Sequence, residues 1–112
     1  MSTRAVLYRR RFLNRPRHHL GAHVIAEVDV ERPDAGAPYV DARLHLSDCS
    51  RHITLDFSAY DRREAENALR KVAVLRAVLD ELEAGLARGL ADADLTRDAS
   101  RGGPAAFRGS GC

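Results

Sequence analysis

The chain has 112 residues, enough for one domain of ordinary small size with a single hydrophobic core. Hydrophobic residues make up 45% of it and charged residues 30%, which excludes a chain too polar to collapse and implies a well-solvated surface. No run approaches the roughly 18 apolar residues of a membrane span, and the N-terminus alternates charge with hydrophobes, unlike a signal segment; no membrane partner and a cytoplasmic location are expected.

Charge is unevenly placed along the chain. Of the 18 basic residues only Lys71 is a lysine, and Ile and Asn occur twice each, the bias of a bacterial genome rich in G+C. Such a bias does not explain position: residues 1–20 hold six arginines and no acid, whereas residues 21–60 hold three arginines and seven acids.

Residues 5–13 read as a first strand, with Val6, Tyr8 and Phe12 on the core face and Arg9 and Arg11 on the other beside Leu7 and Leu13. Arg10 interrupts the apolar face and points to an edge position. A connecting loop follows, marked by Pro16 and Gly21.

Residues 22–30 alternate cleanly, with Val24, Ala26, Val28 and Val30 facing one way and His23, Ile25, Glu27 and Asp29 the other. The turn-rich segment 31–38 leads into residues 39–46, where Val40, Ala42, Leu44 and Leu46 face the core. A four-residue turn, Ser47 to Ser50, would return the chain into residues 51–58, pairing Leu46 with Arg51 and Leu44 with Ile53. On the outer face Asp29, Asp41 and Asp56 would fall in a row.

Asp61 then offers a helix cap, with Glu64 three residues on able to reach back. The apolar positions Ala65, Ala68, Val72, Leu75, Leu79, Leu82 and Leu86 recur at alternating spacings of three and four, predicting an amphipathic helix over residues 61–88. Residues 96–112 have no periodicity and many Gly, Ser and Arg residues, and are expected to be a disordered tail. The fold class is therefore α+β: a three- to four-stranded antiparallel meander with one long C-terminal amphipathic helix packed on one face, in a single domain over residues 1–95.

Three surfaces invite a functional reading. A 28-residue helix spans ~42 Å, while eight-residue strands reach only ~27 Å, so about ten helical residues overhang the sheet. Leu79, Leu82 and Leu86 lie at that far end, with Val74 and Val78 on the opposite side. Leaving the leucines in water forgoes ~1.5–3 kcal/mol apiece, and a protein partner or a homodimer would cover them.

The second surface is the basic N-terminal segment, where Arg4, Arg9, Arg11, Arg15 and Arg17 could neutralise the phosphates of a nucleic acid. The third is the trio His45, Cys49 and His52 around the predicted turn, whose imidazoles and thiolate suit zinc or copper and could support catalysis. Two cysteines, Cys49 and Cys112, do not make a disulfide framework and are expected as free thiols.

No phosphate loop, nucleophile elbow or zinc-protease motif is present, and no cofactor is implied. The expectation is a small non-enzymatic interaction module working through the Leu-rich helix end. Nucleic-acid binding through the arginine arm is the alternative, and a metal or catalytic role at the His45/Cys49/His52 hairpin comes third.

Overall fold

A computed structural model describes residues 2–17 and 21–95. Four strands are followed by one helix: β1 (Ser2–Phe12), β2 (His23–Arg32), β3 (Tyr39–Asp48), β4 (Arg51–Asp56) and α1 (Arg62–Asp92). The strands form one open antiparallel sheet in the order β1-β2-β3-β4, so this is the α+β meander with a long helix that the hydrophobic periodicities predict. The expected tail lies outside the described residues.

Register follows from the pleat. Val24, Ala26, Val28 and Val30 stand opposite Leu46, Leu44, Ala42 and Val40, so β2 and β3 contribute a continuous apolar face. Glu27, Asp29 and Glu31 share the other face with Tyr39, Asp41 and Arg43.

The β3–β4 hairpin differs from expectation in register but not in face. Asp48 pairs with Arg51, Leu46 with Ile53 and Leu44 with Leu55, so the turn has two central residues, Cys49 and Ser50, in place of four. Cys49 takes a φ of 59°, the left-handed conformation that a two-residue turn of this hand requires at its first position. Neither residue is the Gly or Asn that usually signals such a turn, which is why a longer loop looked plausible. The shift is by two residues, and an even shift preserves the alternation of faces.

The same register runs past the end of β4. The Phe57 N–H donates to the Ala42 carbonyl at 2.8 Å, and Ala59 and Val40 exchange backbone hydrogen bonds of 2.9 and 3.0 Å.

The larger correction concerns β1. A bulge between Ala5 and Leu7 inserts one residue, after which Leu7, Arg9 and Arg11 stand opposite Val28, Ala26 and Val24. Arg9 and Arg11 therefore lie on the apolar face, and Tyr8, Arg10 and Phe12 share the charged face with Glu27, Ile25 and His23. Before the bulge Arg4 pairs with Val30, which puts it on the apolar face as well.

The helix opens as expected and closes later. The Asp61 carboxylate accepts from the Glu64 N–H at 2.8 Å, and Glu64 reaches back to the Tyr60 N–H at 2.7 Å, one residue before the usual partner. At the other end α1 passes through Gly85 and Gly89 to Asp92. Bonds from Leu95 N–H to the Leu90 carbonyl (2.8 Å) and from Asp94 N–H to the Ala91 carbonyl (3.0 Å) close it, with Asp94 at a φ of 60°. This is the Schellman arrangement with aspartate in the position glycine normally fills.

By compactness the chain divides into one unit ending at Lys71 and a second beginning at Val72. Burial is sparse: among the described residues only Ala22, Ala42 and Ala59 are buried. No residue of α1 is buried; along the stripe Ala65, Ala68 and Leu75 are half-buried, and Leu79, Leu82 and Leu86 are exposed. Amphipathic spacing identifies which side of a helix is apolar; it does not identify what covers that side.

Candidate interaction surfaces

The helical stripe beyond Lys71 is a row of exposed leucines. Leu79, Leu82 and Leu86 are 58%, 61% and 57% exposed, and only Leu75 before them and Leu90 after them are half-buried. Val74 and Val78 are exposed too; Val78, three residues from Leu75 and four from Leu82, adjoins the stripe rather than lying on the opposite side. Between Leu79 and Leu86 the charged residues are Asp80, Glu81 and Glu83, with no base among them. Asp80 and Glu83 are three apart and so lie on one flank of the stripe.

The apolar sheet face is a second surface, half-buried at its centre and exposed at its margins. Its central residues on β2 and β3 are half-buried apart from Ala42, which is buried, and Ile53 on β4 is exposed. Arg4, Arg9 and Arg11 run along the β1 margin of this face, and β1 is exposed throughout.

The opposite face carries a hydrogen-bonded cluster. The His45 Nε2 lies 2.5 Å from Glu27 Oε2, and its Nδ1 lies 2.9 Å from Thr54 Oγ1. With Nε2–H donating to the carboxylate, Nδ1 accepts from the threonine hydroxyl, and both ring nitrogens are satisfied within the sheet. His52 stacks on His45 at 6.0 Å between ring centroids. The observed register makes the two histidines diagonal neighbours, where the longer turn would have set them opposite each other.

The structure places His45 and His52 side by side on this face and Cys49 in the turn beyond them. Among the described residues no three His, Cys, Asp or Glu side chains are placed to hold a metal ion. Both His45 ring nitrogens are engaged, by Glu27 and Thr54, and the Cys49 Sγ lies 3.6 Å from Asp48 Oδ1. No described cysteine is free, which corrects the expectation of a free thiol at Cys49; Cys112 lies outside the described residues. The Glu27–His45 contact was missed from sequence, although the alternation of β2 and β3 puts both on one face.

The expected row of aspartates is partly formed. Asp29 stands directly opposite Asp41, whose carboxylate binds Arg43 at 3.2 Å and accepts from the Ser58 hydroxyl at 3.1 Å. Asp56 pairs instead with Arg43 across the β3–β4 ladder. The Ser58 hydroxyl and N–H hold the Asp56 carboxyl below its ordinary range, against an opposing desolvation and with help from Arg43 and Lys71. Desolvation, then Glu31, Tyr60 and Asp41, push the Tyr39 hydroxyl up; its ring stacks on Tyr60 at 4.6 Å.

At the start of α1, Lys71 donates to the Asp56 carbonyl at 2.6 Å and lies 5.0 Å from the Phe57 ring centroid. A surface pocket of about 610 Å³ opens there between Asp56, Arg63, Glu64 and Lys71. Its mixed charges define no ligand. Of the arm's remaining arginines, Arg15 and Arg17 lie in the connection after β1, Arg17 with a φ of 78°.

Compared with protein families, curated proteins and solved structures, the chain matches none. Among the described residues no helix is long and apolar enough to cross a membrane.

Proposed function

We propose that the protein is a small non-enzymatic interaction module that binds a protein partner or itself through the Leu-rich end of α1. The observation that carries this reading is the exposure of Leu79, Leu82 and Leu86 in one stripe. Three leucines in register on a helix leave a contiguous apolar strip, and strips of this kind are stable in water only when something covers them. Val78, beside Leu75 and Leu82, would widen the contact, and Val74 would extend it further round the helix.

The test is the pair Leu82→Glu and Leu86→Glu in the full chain. Sedimentation should show association lost while the far-UV circular dichroism spectrum is unchanged, because the charges meet water in the free chain but are desolvated in a complex. Persistence of every association in a folded double variant would refute the reading.

A second reading has one observation in its favour. Tyr8 and Phe12 are 62% and 54% exposed, with the Arg10 guanidinium 5.0 Å from the Phe12 ring centroid. Exposed aromatics beside arginine suit stacking on single-stranded nucleic acid, with Arg4, Arg9, Arg11, Arg15 and Arg17 neutralising phosphates. Glu27, Asp29 and Glu31 on the same face as Tyr8 and Phe12 oppose it. Changing Arg4, Arg15 and Arg17 together to Ser should abolish retention of nucleic acid at low salt if this reading holds; an absence of any retained nucleic acid in the wild type removes it.

A further inference from the structure

We infer that the occupant of the apolar sheet face is the Leu79–Leu86 end of α1 from a second copy of this chain, exchanged reciprocally in a homodimer. The inference rests on the reading of the helix end as an interaction surface, and it names both the partner and the receiving site. Each chain carries an apolar sheet face that is half-buried at its centre and exposed at Leu7 and Ile53, and a leucine stripe exposed at Leu79, Leu82 and Leu86. A twofold dimer supplies each surface with its complement once per copy, so both are covered without a third component.

Polarity, length and charge agree. The part of α1 from Val72 to Asp92 is ~31 Å long at 1.5 Å per residue, and the ten-residue strands β2 and β3 reach ~33 Å. Laid along β2 and β3, one helix places its leucines over Val24, Ala26, Val28, Ala42 and Leu44. The margin of that face is basic, formed by Arg4, Arg9 and Arg11, whereas the flank of the stripe between Leu79 and Leu86 is acidic, formed by Asp80 and Glu83, with Arg76 one turn before them.

Spacing agrees as well. Arg9 and Arg11, two apart on a strand, are separated by ~6.6 Å. Asp80 and Glu83, three apart on a helix, have Cβ atoms ~5–6 Å apart. Both acids can therefore meet both arginines at once. The bulge in β1 matters here, since it is what brings Arg4 onto the same face as Arg9 and Arg11.

The experiment uses two charge-reversed full-length chains, one with Arg9→Glu and Arg11→Glu and the other with Asp80→Arg and Glu83→Arg. By sedimentation the wild type should be a dimer, and each variant alone should dissociate at least about tenfold more readily, because like charges then face each other. Mixed in equal amounts, the two should form a one-to-one heterodimer, since one interface is then wild type and the other reversed on both sides. If either variant fails to fold alone, recovery of the circular dichroism spectrum together with the dimer on mixing gives the same answer.

A mixture that stays monomeric, or a wild-type dimer indifferent to both reversals, overturns the inference. If Leu82→Glu with Leu86→Glu dissociates the dimer while the arginine reversal does not, the helices pair with one another: the exchange is wrong and the interaction reading stands. If the wild type is monomeric and the leucine variant unfolds it, the stripe belongs to the chain's own fold and both fail.

Discussion

Asp94 ends α1 in the left-handed conformation, at a position where an L side chain costs energy and glycine does not. Its charge also lies at the negative end of the helix dipole, beside Asp92 and with no base in the last turn. The backbone and the dipole together cost about 0.5–1 kcal/mol at this position, and Asp94→Gly in a denaturant titration weighs that cost against the side chain's own contacts, with a gain in stability expected where the cost is the larger. A loss of stability would mean that the aspartate side chain contributes more than its backbone strain costs. Asp56 makes a prediction about pH. Its carboxyl is held below its ordinary range by the Ser58 hydroxyl and N–H, so it ionises more readily folded than unfolded. The stability it contributes is complete above the unfolded value near about pH 4 and is lost as pH falls through the lower folded value. Asp56→Asn should flatten the acid limb of the stability curve below about pH 4 and leave its slope near neutrality unchanged. An unaltered acid limb would show that this carboxylate is not linked to folding.

At the level of strands, the pairing of Asp29 with Asp41 is a like-charge contact in the middle of a ladder. Directly opposed charges of one sign destabilise a sheet, and Asp29 has the less favourable place because Arg43 and Ser58 already engage Asp41. Asp29→Thr should raise the unfolding free energy by about 0.2–1 kcal/mol, measured by chemical denaturation. The alternation of β2 and β3 was legible from residues 22–30 and 39–46, as was the cap at Asp61, because each depends on local periodicity or a single side chain. What was not legible depends on backbone conformations that the residue type does not announce. Cys49 adopts positive φ without being glycine, so the hairpin is shorter than it reads. Asp94 does the same, so the helix outlasts Gly85 and Gly89. The bulge in β1 has no marker residue at all, and it reverses the faces of Arg9 and Phe12. Of the candidate surfaces, the leucine stripe could be read from spacing alone, while the arginine margin could not.

For the molecule as a whole, three buried alanines are too little interior for a described chain of this length. Stability that depends on association must depend on concentration, because mass action links folding to the population of dimer. The melting temperature of the wild type should rise as its concentration is raised, and that of the Leu82→Glu, Leu86→Glu variant should not. A wild-type melting temperature independent of concentration would place the missing interior within one chain. Such an experiment needs no partner to be identified in advance.

The bulge between Ala5 and Leu7 has an electrostatic consequence that composition conceals. Strict alternation along β1 would divide its four arginines evenly, Arg4 and Arg10 to one side, Arg9 and Arg11 to the other. One inserted residue changes the division to three against one, since Arg4 joins Arg9 and Arg11. Removing that residue would alter no charge in the protein, yet it would transfer a positive charge through the plane of the sheet. Insertion and deletion in this strand thus act as a polarity control that substitution cannot imitate: net charge stays fixed while the two sides of a single layer become more or less alike.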